Sequence, residues 1–131
     1  MSWAISHTTI QHLMEIQSNC EYQVSLIANS LQALAMQSAS VTQQQTSASQ
    51  AYLAQHTDEE GEIDMAAIEY ANSDAFNAFY NKQLKAIQAK EQILNTEKAK
   101  LELRAKTAAT EIESWEKNKN SSIEKFCKYG N

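Results

Sequence analysis

The chain has 131 residues, no proline, glycine only at Gly61 and Gly130, and a net charge of −5 from 16 acidic and 11 basic side chains. So few helix breakers, with Ala, Gln, Glu, Lys and Leu dominant, exclude a turn-rich sheet fold and point to helix. No segment reaches the roughly 20 apolar residues of a membrane span, the N-terminus lacks the basic start and apolar block of a cleaved secretory signal, and Cys20 and Cys127 are too few and too far apart for a disulfide framework.

The first element runs from about residue 6 to about residue 55. Its apolar residues fall on a three-four spacing, Ile10, Leu13, Cys20, Val24, Ile27, Leu31, Leu34 and Val41, with Gln17 and Ser38 in the two missing places. That is the pattern of a seam for packing helix on helix. Ser6 or Thr8 is suited to cap its first turn. The stretch from Ser38 to Gln50 is rich in Gln, Ser and Thr and poor in apolar residues, so it is the weakest part of this helix. Up to His56 the only charges are Glu15 and Glu21.

Residues 56–73 form an acidic bend. Asp58, Glu59, Glu60, Glu62, Asp64, Glu69 and Asp74 follow one another with no base between them. Asp64 is placed to cap a short helix through Ala71. The last element, about residues 74–128, has Ser73 as its cap and Asp74 in its first turn, where a carboxylate favours the positive end of the helix dipole. Lys125 and Lys128 suit the opposite end. Its seam is Tyr80, Leu84, Ile87, Leu94, Leu101, Ala105, Ala108, Ile112, Trp115 and Phe126, interrupted by Glu91, Lys98, Lys119 and Ser122. All eleven Lys and Arg residues lie at or after Lys82.

The fold class expected is all-α: one domain, residues 1–131, folded as a long antiparallel two-helix hairpin, coiled-coil-like, with a short helical bend. A bend centred near residue 65 gives two arms of about 50 residues, or about 75 Å each at 1.5 Å per residue. That register sets Trp3 beside Phe126 and Tyr129, and Met14 or Ile16 beside Trp115. The hairpin seam is then Ile10, Leu13, Val24, Ile27, Leu31 and Leu34 on one helix, against Leu84, Ile87, Leu94, Leu101, Ile112 and Trp115 on the other.

A hairpin buries one stripe on each helix, and further apolar residues lie off the seam. Met14, Ile16, Leu26, Met36, Phe79, Ile93 and Leu103 are the expected self-association residues, and Tyr22 and Phe76 share their off-seam placing. Isolated exposed apolar residues are ordinary; what counts here is their number and the scarcity of charge on the first helix. A solitary two-helix chain would carry Lys and Glu on its outer face. The expectation is therefore packing in a homo-oligomer. A compact bundle in which the short middle helix covers the extra residues is the alternative.

Chemistry-bearing constellations are sparse. His12 and Glu15 share a helix face, but His7 lies roughly 140° around from His12, so no third ligand converges and no metal is expected. The DEEGEID bend lacks the alternating ligand spacing of a calcium loop and reads as a solvated turn. Cys20 falls on the core stripe, and Cys127 with His7 at the same tip is too loose for nucleophilic catalysis. The lysines of the last helix alternate with Glu91, Glu97, Glu102, Glu111, Glu113 and Glu116, a solvated face and not a phosphate-binding stripe. No catalytic residue, no cofactor and no nucleic-acid partner is expected, and the chain is not read as an enzyme.

The MSWAISHTTIQHLMEIQSNCEYQVSLIANSLQALA start and the seam from YNKQLKAIQAKEQIL to EIESWEKNKNSSIEKF resemble, in style, bacterial helical-hairpin subunits exported through type III or flagellar-type machines. In needle proteins and in the terminal helices of flagellin, such hairpins stack into helical filaments. The resemblance implies a structural, self-assembling subunit, export machinery as a partner, and an extracellular or cell-surface location reached without a signal peptide. The alternative is a cytoplasmic coiled-coil adaptor or secretion chaperone that holds another protein's helix on the same stripe.

Overall fold

The computed structural model describes residues 2–129, and side chains from residue 4 to residue 127. Three helices follow in order: α1 (Ser2–Gln55), α2 (Met65–Ala71) and α3 (Asp74–Tyr129). The architecture is an antiparallel two-helix hairpin of α1 and α3, with α2 in the bend. No strand occurs among the described residues; an isolated bridge pairs Thr57 with Ile63 inside the bend. Contacts divide the chain into two units, residues 1–29 with 95–131, and residues 30–94.

In the first unit, Ile10 and Leu13 of α1 pack with Ala108 and Ile112 of α3, and Ile16 and Trp115 lie half-buried against this cluster. Cys20, Ile27 and Ala105 are also buried, and Val24 and Leu101 are half-buried. Small residues at Ala105 and Ala108 let the two backbones approach, the way a/d seams alternate large and small knobs. Polar seam positions stay on the seam. Gln17, Lys98, Lys119 and Ser122 are all half-buried, with Lys98 reaching Glu102 at 3.8 Å. A long side chain does this by burying its stem and leaving its head in water.

α1 begins earlier than a cap at Ser6 or Thr8 would allow. Ser6 is buried within the helix, and the Thr8 hydroxyl donates back to the Ala4 carbonyl at 3.0 Å. Both therefore lie inside the helix, not ahead of its first turn. Phe126, expected on the seam, is 71% exposed. Lys119 reaches His7 at 3.1 Å. The expected neighbours Trp3 and Tyr129, like Lys128, have side chains outside the described residues.

In the second unit Val41, Ile87, Ala67 and Ala71 are buried, while Leu31, Leu34, Leu84, Leu94 and Tyr80 are half-buried. The Ser38–Gln50 stretch stays helical throughout. Thr42 and Thr46 donate to the carbonyls of Ser38 and Thr42, each at 3.0 Å, and Gln45 reaches across to α3. Its Nε2 donates to Asn77 Oδ1 at 2.6 Å. The Asn77 amide nitrogen in turn donates to the carbonyls of Ala71 at 3.1 Å and Ser73 at 2.9 Å. One side chain thus ties α1, the end of α2 and the start of α3.

The bend is built from its own carboxylates. Asp58 accepts the N–H groups of Glu60 at 3.0 Å and Glu62 at 2.8 Å, and Gly61 takes the left-handed conformation at φ 86°. Glycine adopts that conformation at little steric cost. Asp64 accepts from the Ala66 N–H and caps α2; Ser73 Oγ accepts from the Phe76 N–H and caps α3, each at 3.2 Å. Tyr52, Tyr70 and Phe76 pack with ring centroids 5.2–5.5 Å apart, and His56 stacks on Tyr52 at 4.2 Å. Gln45 and Asn77 are equidistant from residue 61, which puts the centre of the turn a few residues before the expected 65.

Candidate self-association surface

Of the residues named from the sequence for the seam, Ile10, Leu13, Val24, Ile27, Leu31 and Leu34 of α1 and Leu84, Ile87, Leu94, Leu101, Ile112 and Trp115 of α3 are buried or half-buried, and Phe126 is exposed. Of the seven off-seam residues, six face outward. Their exposure runs from 47% at Leu26 to 69% at Met36, with Met14, Phe79, Leu103 and Ile93 between. Ile16 is the exception. It flanks the seam one residue before Gln17, and the Ile10–Leu13–Ala108–Ile112 cluster draws it in. Phe76 is likewise taken up by the aromatic cluster of the bend, whereas Tyr22 is exposed.

Within the first unit, Met14 and Tyr22 border a shallow depression with Glu15, Ser18 and Asn19. Within the second, Ala33, Leu34, Ile93 and Leu94 line an open groove of about 610 Å³, with Ser30, Gln37 and Lys90 at its edges. The groove floor is the half-buried seam pair Leu34 and Leu94, and Ile93 is its exposed rim. The geometry follows from the sequence: Ala33 and Ser30 are too short to close the space that Leu or Lys at those places would fill.

The electrostatics of this surface are unusual for an outward face. Between Glu21 and Asp58 the chain carries no Asp, Glu, Lys or Arg. The outer face of α1 in the second unit is therefore Ser, Thr, Gln, Ala and Met, with no charge to oppose close approach by another protein. α3 differs; its exposed face carries ion pairs such as Lys117–Glu113 at 3.9 Å.

Comparison with family models, with curated proteins and with solved structures finds no match. His12 and Glu15 are exposed, His7 lies against Lys119, and among the described residues no three His, Cys, Asp or Glu side chains come together as metal ligands. Cys20 is buried in the seam and Cys127 is exposed. No helix of the described residues is long and apolar enough to cross a membrane.

Two features were missed by reasoning from sequence. Asn77 occupies a seam position, and nothing in its spacing signalled a three-way clamp. Ile63, Met65 and Ile68 are exposed apolar residues on the acidic bend. Their signal was present in EIDMAAIEYA, where apolar residues alternate with carboxylates.

Proposed function

We propose that the protein is a structural subunit that self-assembles through exposed apolar residues of α1 and α3. The observation that carries this reading is the pairing of Met36, Leu26, Met14, Phe79, Ile93 and Leu103, all exposed, with a helix that has no charged residue between Glu21 and Asp58. Burying an exposed Leu or Met side chain is worth about 1.5–3 kcal/mol, and an uncharged face adds no cost of stripping water from ions. A second hairpin offering the same face would satisfy both conditions by symmetry. The resemblance in style to exported bacterial filament subunits extends the proposal to a filament or helical oligomer, placed outside the cell by signal-independent export.

The test is light scattering and negative-stain microscopy of the purified chain over a concentration series, beside a Leu26→Glu, Met36→Glu variant. The proposal expects discrete large particles or filaments that the variant loses while keeping its helical circular dichroism. A folded monomer in both samples would sink it and favour a protein that holds a different partner's helix.

A further inference from the structure

Within residues 30–94 the hairpin has one side on which bulk is shared unequally between its helices. The open groove fixes that side: Ser30, Ala33 and Gln37 of α1 and Lys90 and Ile93 of α3 flank the Leu34–Leu94 floor. Heptad spacing extends it along both helices toward the bend. On α1 it continues through Ser40 and Ser47, both short and exposed, and on α3 through Ala86 to Phe79. Phe79 and Ile93 stand 64% and 67% exposed. Lys90 is the one charge on this stretch, whereas Glu97, Lys100 and Arg104 take the same heptad places beyond residue 94.

Shape and area both name the occupant. A side that is bulky on α3 and short on α1 is complementary to itself after a half-turn about the helix direction. That half-turn lays α3 of each copy over α1 of the other at the same level. Ile93 then descends on Ala33 of the second copy and Ala86 meets Ser40, each contact occurring twice. Turning the copies end to end stacks α3 on α3, with Phe79 against Ile93, and props the short α1 sides apart. As for area, two separate compact units of half this mass would together expose about 8,400 Å². The chain divides into two such units and exposes 9732 Å², roughly 1,300 Å² more than that sum. From Ser30 to Ser47 the side is about 26 Å long at 1.5 Å per residue and about 20 Å wide across two helices. Two copies pressed together there bury about 1,000 Å² between them, enough for a specific interface.

We propose that two copies pair through this side of residues 30–94, pointing the same way, as a four-helix bundle in which α3 of each covers α1 of the other. The pairing rests on the self-assembly reading and adds to it the face used and the direction of the neighbour. Lys90 at the rim lays its stem on the partner and keeps its ammonium in water.

Two single-cysteine reporters test it. Both chains carry Cys127→Ser, one with Ser40→Cys and the other with Ala86→Cys, while Cys20 stays buried. Mixed and treated with a short bismaleimide, with sedimentation of the same mixture, the chains should cross-link 40 to 86, and neither should cross-link alone. Assembled protein joined 40 to 40 and 86 to 86, or not joined at all, overturns the pairing and leaves self-assembly standing. A single 14.7 kDa species without cross-links overturns both. Ala33→Glu should weaken association at least on the order of tenfold, since each pair would bury two carboxylates without partners. Ala35→Glu, exposed and about 200° further round α1, should leave association unchanged. The two changes alter helix propensity alike, so no loss with Ala33→Glu, or an equal loss with Ala35→Glu, overturns the pairing.

Discussion

Replacing Asn77 by Ala removes the amide that joins α1, α2 and α3. Three hydrogen bonds vanish together: the one accepted from Gln45 at 2.6 Å and the two donated to Ala71 and Ser73 at 3.1 and 2.9 Å. The two carbonyl partners fix which way the amide points, because only the nitrogen can donate to both. Each bond contributes about 1 kcal/mol net, and leaving a part-buried partner unpaired adds to the loss. Since the site is part-buried and water reaches some of the freed groups, the expected cost is about 2–3 kcal/mol. Urea unfolding followed by circular dichroism measures it, with an unchanged slope showing that the folded state is otherwise intact. Gln45→Ala should cost about 1 kcal/mol, and the double variant should cost less than the two singles combined, because they share one bond. Additive single costs, or an Asn77→Ala loss below about 0.5 kcal/mol, would refute the clamp.

Gly61→Ala should destabilise by about 1 kcal/mol in the same assay; an added Cβ meets nothing within 4 Å, so the whole loss comes from holding a non-glycine residue at φ 86°. Gln17→Leu places an apolar knob in a half-buried seam position and should stabilise by about 1 kcal/mol, a gain that would not appear if position 17 faced water. A thiol reagent should modify one cysteine of the native chain, Cys127, and the second, Cys20, only in denaturant; fast native modification of both would contradict the buried seam.

Much of the hairpin was legible because its period is carried even where its chemistry is not. Lys98, Lys119 and Ser122 interrupt the apolar series of α3, yet each lies half-buried on the seam, since spacing and not polarity decides which way a helical side chain points. The Asp64 and Ser73 caps were readable for the same local reason: a short oxygen-bearing side chain ahead of a helix has free N–H groups to accept from. What spacing does not encode is how far a large neighbour reaches. Ile16 is off the seam by register but shares the cluster with Trp115. Phe126 fits the seam by register but lies exposed. Asn77 was invisible because its value lies in three acceptors and donors brought together by the turn, none adjacent to it in sequence. The outward face was legible in a different way, as a lack of charge between Glu21 and Asp58 that no folded hairpin requires.

Copies of this hairpin are proposed to bind one another through exposed apolar residues of the poorly charged α1. Sedimentation equilibrium of the unaltered chain over a hundredfold concentration range tests it most directly. The account predicts a weight-average mass rising to multiples of 14.7 kDa, with Leu26→Glu, Met36→Glu protein remaining at the single-chain mass. A mass of one chain at every concentration, in a sample whose helicity and unfolding are cooperative, would contradict it.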